Sequence, residues 1–312
     1  MHHTPNSVLV VGSVAFDDLE MPSGSFKDVL GGAATYSSLA ASLLAPVRLV
    51  GVVGADFAES HISMLGAHGV DTTGLERASG KTFRWHGRYS SDLASRESLD
   101  TQLNVFADFR PKIPAAHRAS EILLLGNIHP ALQLEVLEQV ERPKLVISDT
   151  MNFWISGEPE LLGKVLAKVD LLVINDEEAR QLSGEHNLLK AAREIHKRGP
   201  RRLIIKRGEH GALLFEEGSV FFVPAFPLES VLDPTGAGDT FAGGLVGYLA
   251  KTGDVSHASV RRAMFYASAA ASFCVEGIGT ERLVQATRGD LGVRIEAFGA
   301  MVDYGGSLAL PH

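Results

Sequence analysis

The chain is poor in cysteine: Cys274 is the only one among 312 residues. No internal disulfide can form, and no zinc site can be built on cysteine ligands. The flanks of that residue, "AAASFCVEG", are apolar and read as a buried, inert thiol, which fits a reducing compartment. An excess of basic residues is missing too. Lys and Arg number 29 against 37 Asp and Glu, for a net charge of −8. A general nucleic-acid binder usually carries a basic face, so that class is set aside, although phosphate can still be held by local backbone amides. No apolar run is long enough to span a bilayer. The opening "MHHTPNSVLVVGSVAFDD" has no basic region ahead of its glycine-broken apolar stretch, so a cytoplasmic protein with no membrane partner is expected. His2-His3 is too short for a metal tract. Low-complexity linkers and internal repeats are absent.

What is present is an alternation. "SVLVVGSVAF", "VRLVGVVG", "EILLLGNI", "KLVISDT", "LLVIND" and "RLIIKRG" are β-branched or leucine-rich runs suited to strands covered on both faces. Helical patterns lie between them: "GGAATYSSLAASLLA", "AESHISMLGAHG" closed by Gly69, "LQLEVLEQV", "LLGKVLAKV" and "NLLKAAREIHKRG". In the last, Leu188, Leu189, Ala192 and Ile195 form the inward stripe. The order predicts an α/β fold with a Rossmann-like, mostly parallel sheet flanked by helices, built as a single unit over residues 1–312. One segment breaks the rhythm. "TFRWHGRYSS" and "TQLNVFADF" alternate with period two around the charged "DLASRESLD", and read as an antiparallel pair outside the main sheet. Phe83, Trp85, Gly87 and Tyr89 share one side; Arg84, His86 and Arg88 share the other, read as a solvated face. The segment 81–108, with 17–30 contributing, is expected to form a flap over the active site. The end, "AFGAMVDYGGSLALPH", reads as frayed.

The most informative stretch is "DPTGAGDTFAGG", Asp233–Gly244, between the strand-like "VFFVPAF" and the helical "DTFAGGLVGYLAK". Gly236 and Gly238 let backbone approach a ligand closely. Their amides, with those of Ala237 and Asp239, gather at a helix N-terminus, a place for an anion whose charge grows during reaction. Asp239 lies within reach of the same spot and can accept a proton from an attacking hydroxyl. The dinucleotide fingerprint G-x-G-x-x-G fails, because Phe241 stands in place of its third glycine, and the Walker loop is absent. On the local pattern alone, an N-capped helix with Asp239 as first-turn acid remains an alternative.

The full string resembles the C-terminal signature of the ribokinase-like, or PfkB, carbohydrate kinase family, and the resemblance covers nearly the whole chain. "VGSVAFDDL", "LGGAATYSSLAASLL", "VGVVGADF", the N-x-x-E of "INDEEA" and the K-x-G-x-x-G of "IKRGEHGALLF" are similar to that family's other motifs. The resemblance implies ATP-dependent phosphoryl transfer to an alcohol of a sugar or nucleoside, with a small β lid on a Rossmann-like body. It implies Asp239 as catalytic base and Gly236, Ala237 and Gly238 as anion hole. Asn175 and Glu178 would organise Mg2+ through water, and Lys206, Gly208 and Gly211 would lie beside the nucleotide. Asp17 and Gly32, with Gly31, would hold substrate hydroxyls, with Asp18 as the alternative acid. Asp233 and Thr235 would help bind a monovalent cation such as K+.

The chain departs from the family at Tyr36, where relatives commonly carry asparagine four positions after the second glycine; Tyr36 either reaches the ligand or fills space. Asn127 and Asp149, with Asn152, end strands at the same rim and are candidates for setting substrate identity. His129, ahead of Pro130, reads as structural. Ser268 is placed near the purine by a loose match of "CVEGIG". A sugar-like substrate leads, a nucleoside is the alternative, and a non-catalytic sugar or nucleotide sensor is the competing class. The protein is expected to be a monomer, or a homodimer joined through the lid.

Overall fold

Strands that carry no polar position need cover on both faces, and "VLVV", "ILLL" and "LLVI" lie at the centre of the molecule. The structure, a computed structural model, describes residues 7–303. Its strands are Val8–Val11 (β1), Ala15–Met21 (β2), Gly24–Gly31 (β3), Val47–Val53 (β4), Val70–Arg77 (β5), Phe83–Tyr89 (β6), Arg96–Gln102 (β7), Ile122–Leu125 (β8), Leu145–Ser148 (β9), Leu171–Asn175 (β10), Arg202–Lys206 (β11), Ala212–Glu216 (β12) and Ser219–Val223 (β13). The helices are Ala33–Ser42 (α1), Glu59–Ala67 (α2), Pro130–Gln139 (α3), Asn152–Gly157 (α4), Pro159–Leu166 (α5), Asp176–Ser183 (α6), Leu188–His196 (α7), Ala237–Thr252 (α8), His257–Cys274 (α9), Glu281–Gln285 (α10) and Arg288–Val302 (α11).

Nine strands form one sheet in the order β13-β12-β11-β10-β9-β8-β1-β4-β5. From β11 to β5 the neighbours run parallel; β12 and β13 close one edge as an antiparallel hairpin. Alternate residues of β1 enter opposite cores. Val8 and Val10 pack with Tyr36, Leu39, Phe241 and Leu245 of α1 and α8, whereas Leu9 and Val11 pack with Val136, Val165 and Ala179 of α3, α5 and α6. Helices therefore cover both faces, as the alternation predicts. No helix among the described residues is long and apolar enough to cross a membrane.

A second sheet of four strands has the order β3-β2-β6-β7. It departs from expectation in two ways. The opening run is not one strand: Gly12–Val14 turn the chain out of the main sheet after β1, and β2 belongs to the small sheet. Its fourth strand lies in the charged "RESLDTQ", while Asn104–Asp108 form a 3-10 turn whose Phe106 stacks between Phe83 and Phe109 at 5.4 and 5.5 Å. β7 is an exposed edge with almost no apolar side, so its sequence carries no period-two signal. Arg84 pairs with Asp18 and Asp28, and Glu20 with His86 and Arg88, on the outer face. The inner face buries Leu19, Met21 and Tyr89.

Smaller corrections follow. β5 had not been read as a strand. Leu189, expected on the inward stripe of α7, is exposed, and Ala191 is buried instead. Residues 297–302 are not frayed but finish α11, whereas 304–312 and His2-His3 lie outside the described residues.

Candidate active site

The carboxyl ends of parallel strands and the N-termini of the following helices meet along one rim, where ligands of open α/β sheets gather. Asp17, two residues into β2, points to the inner side of the small sheet and is 4% exposed. Its carboxylate leans on Gly31: a β-carbon there would stand 2.0 Å from Oδ2. Burial, then the charges of Asp233 and Asp239, push Asp17 up to about 8. Asp18 faces outward and accepts from Arg84 at 2.8 Å, so of the two acids Asp17 is the one on the inner side of the small sheet. Gly32 serves the fold, since a β-carbon there would lie 2.5 Å from the Ser13 carbonyl oxygen. The first amides of α1, Ala33 and Ala34, donate to Ser13.

Tyr36 fills space. It is 1% exposed, and a β-carbon on Gly236 would lie 2.4 Å from its ring. Among the described residues no group bonds its hydroxyl. Burial, followed by the charge of Asp17, raises that phenol well above its ordinary value.

The loop "DPTGAGD" is tied down from several sides. Asp233 is fully buried and accepts from the N–H of Thr235 at 2.8 Å and of Gly279 at 2.7 Å. Thr235 shares a 2.8 Å hydroxyl contact with Tyr89, joining loop to small sheet. The side chains of both proposed cation ligands are thus engaged within the protein. The Cys274 thiol donates to the Thr235 carbonyl at 3.3 Å, and burial pushes it up to about 12, so it is inert as expected. Gly236 caps α8 in the left-handed region, φ 74°. Ala237 spends its N–H on the Pro234 carbonyl, while among the described residues no backbone carbonyl takes those of Gly238 and Asp239, and the Asp239 N–H turns to its own carboxylate. Among the described residues no side chain donates to the Asp239 carboxylate. Burial and the neighbouring Asp149 raise it to about 7, against the opposing pull of Lys206 and Arg96.

Asn175 and Glu178 form a reciprocal capping box on α6: Glu178 N–H donates to Asn175 Oδ1 at 2.7 Å, and Asn175 N–H to Glu178 Oε2 at 2.8 Å. Burial and Asp149 lift Glu178 to about 7. Its other carboxylate oxygen takes no hydrogen bond among the described residues, and no group of three or more acids, His or Cys among them could hold a metal. Lys206 ends β11 beside Asn175 in register. It donates to Asp149 Oδ2 at 3.4 Å, and a β-carbon on Gly238 would meet its Nζ at 2.7 Å.

Other candidates are placed differently. Asn127 accepts from Trp154 Nε1 at 3.0 Å and holds α4; Asn152 begins that helix. Ser268 donates to the Pro224 carbonyl at 3.0 Å. Gly211 lets the turn press on the Val223 carbonyl, which a β-carbon would approach to 2.1 Å; Gly208 opens that turn. His129 accepts from Ala131 N–H as a helix cap. Arg96 was missed: its guanidinium lies 5.6 Å over the Trp85 ring, and its charge reaches Asp17, Asp239 and Glu178. The sequence signal for it is the pairing of Arg96 with Tyr89, visible only once the β6–β7 register is known.

Residues 6–286 match the pattern described as pfkB family carbohydrate kinase. The cytidine kinase of Thermococcus kodakarensis is 30% identical over 247 residues, 77% of this chain and 88% of that protein. The deoxyribokinase of Salmonella typhimurium is 28% identical, over 85% of this chain and 87% of its own. Among solved structures, the Burkholderia thailandensis nucleoside kinase in complex with inosine has a TM-score of 0.75 at 22% identity, covering 94% of this chain and 98% of that one. A putative ribokinase II from E. coli, in complex with ATP and Mg2+, has a TM-score of 0.73 at 20% identity, covering 93% and 99%.

Proposed function

The chain belongs to the pfkB family of carbohydrate kinases, ATP-dependent phosphotransferases acting on hydroxyl groups, and we propose that its acceptor is a nucleoside whose ribose lies on Asp17 and whose base stacks on Trp85. The observation that carries this reading is the pairing of Asp17 with Trp85 across β2 and β6, on the same inner face. A carboxylate able to take two hydroxyls thus stands beside an aromatic ring, as a ribose joined to a flat base requires. The 30% identical cytidine kinase supports the same class. A simple sugar is the second reading, supported by the deoxyribokinase relative, and it needs Asp17 but not Trp85.

In this reading Asp239 is the general base. As the acceptor oxygen bonds to the γ-phosphorus, its proton passes to Asp239, and the bond to the β–γ bridging oxygen breaks with its electron pair leaving on ADP. The N–H groups at the N-terminus of α8, that of Gly238 first, stabilise the phosphoryl oxygens. Asn175 and Glu178 would hold Mg2+ through water, and that ion supplies charge neutralisation for the triphosphate. The small sheet acts as the lid, with Arg96 brought over the same spot, and closure excludes water that would otherwise take the phosphoryl group. The reading does not require potassium at Asp233 and Thr235.

The test is ADP release from ATP with a panel of nucleosides and sugars. Nucleosides are expected to outpace sugars, and Asp239→Asn is expected to lower kcat by about 10²–10⁴-fold. No release with any acceptor, but retained binding, would leave a sensor in place of an enzyme.

A further inference from the structure

The resemblance places Lys206 only beside the nucleotide, but its surroundings ask for more. Its side chain is 16% exposed and that of its partner Asp149 is 9% exposed. An ammonium carries three donors, and the described residues take one of them, at 3.4 Å. The ammonium also occupies the space that a side chain at position 238 would need, 2.7 Å from an added β-carbon. The glycine loop thus gives up a side chain where the cation stands. Lys206 is held between Asp149, which follows β9, and Glu178 of the first turn of α6 on one side, and the N-terminus of α8 at Gly238 on the other. Burial works against its charge, yet Asp149, Glu178 and Asp239 together hold its proton more firmly than usual. In a partly dry site such a cation acts on a nearby anion more strongly than it would in water.

We propose that Lys206 is a further catalytic residue, whose ammonium donates to a non-bridging oxygen of the phosphoryl group in transit, with Asp149 as the residue that positions it. The proposal rests on the phosphotransferase reading above. Lys206 stays protonated throughout: the acceptor's proton goes to Asp239, the new oxygen–phosphorus bond forms, and the electron pair of the broken bond leaves on ADP. The role differs from nucleotide binding, because the contact strengthens as charge gathers on the moving group and is felt in kcat rather than in affinity for ATP.

The experiment compares wild type with Lys206→Met and Gly238→Ala, using the best acceptor of the panel. It reads kcat, the KM for ATP, and the affinities for ADP and for ADP with aluminium fluoride and acceptor. The expected result for Lys206→Met is a loss of about 10²–10³-fold in kcat, the effect of removing one preorganised donor. ADP affinity should hold within about threefold, and the extra affinity conferred by aluminium fluoride should fall in step with kcat. Gly238→Ala, which keeps the charge but pushes it aside, should show the same pattern and serves if Lys206→Met does not fold. A Lys206→Met enzyme within about threefold of wild-type kcat, or one that loses ADP and ADP–aluminium fluoride equally, overturns the proposal while leaving the kinase reading intact. A wild-type protein that phosphorylates nothing, with Asp239→Asn indistinguishable from it, overturns both.

Discussion

Replacing Gly236 with alanine puts the seating of the glycine loop to a quantitative test. Two costs add at that position. The residue sits at φ 74°, where an L side chain costs about 1–2 kcal/mol. The new methyl would also meet the Tyr36 ring at 2.4 Å, and that ring is sealed in the core. Overpacking of this kind costs about 1–3 kcal/mol. The total is about 2–5 kcal/mol. Gly184 supplies the control: it closes α6 at φ 75° with nothing within 4 Å of an added β-carbon, so alanine there carries the backbone cost alone. Urea midpoints of the two variants, measured side by side, isolate the steric part, and the kinase assay on both reports whether the loop has moved. Gly236→Ala should be the less stable by about 1–3 kcal/mol and should lose turnover, while Gly184→Ala keeps it. If the two variants unfold at the same urea concentration, Tyr36 does not support the loop and the account of that residue as a filler is wrong.

Further outcomes can be checked with the same protein. Asp239 must be ionised to act as base and is held up at about 7, so kcat/KM should climb at least about tenfold between pH 6 and pH 8; a flat profile there contradicts the assignment. Asp17 is raised to about 8 when folded against an ordinary 3.8, so the folded state keeps a proton that the unfolded chain releases, and stability falls as pH rises through that window. Asp17→Asn should therefore be more thermostable than wild type, by a margin that grows from pH 5 to pH 8, while losing acceptor binding; a pH-independent margin in melting temperature would count against a buried, ionising Asp17. Trp85→Ala should raise the KM for a nucleoside by about 5–150-fold, equivalent to the about 1–3 kcal/mol of a stacked base, and leave that for a plain sugar nearly unchanged. Equal effects on both would favour the sugar reading.

Much of the architecture is legible from the chain because a parallel sheet covered on both faces leaves runs such as "ILLL" without polar interruption. The placement of Asn175, Glu178 and Asp239 is legible for a related reason: Asn175 ends its strand, and Glu178 and Asp239 lie in the first turns of the helices that follow. What escaped depends on packing between segments far apart in sequence. β7 is exposed at nearly every position, so nothing in "RESLDTQ" distinguishes it from a turn, and the place of Arg96 went with it. Tyr36 could be read as ligand or filler until the contact with Gly236 was known. Lys206 against Gly238 is likewise a contact between a strand end and a helix start that no local pattern encodes. Ser268 donates its hydroxyl to the Pro224 carbonyl and Asn127 Oδ1 accepts from Trp154, contacts that no local pattern encodes.

The contact between Tyr89 and Thr235 makes the two halves of the cleft mechanically dependent. The strand bearing Trp85 is hooked to the segment bearing Asp239 by one pair of buried hydroxyls 2.8 Å apart. Swinging the small sheet outward must unhook that pair. A bond of this kind contributes about 0.5–1.5 kcal/mol, enough to bias the shut arrangement and little enough that thermal motion undoes it. With the small sheet acting as a lid, as proposed above, that pair would be a latch whose strength lies close to the energy scale on which a turnover cycle opens and recloses.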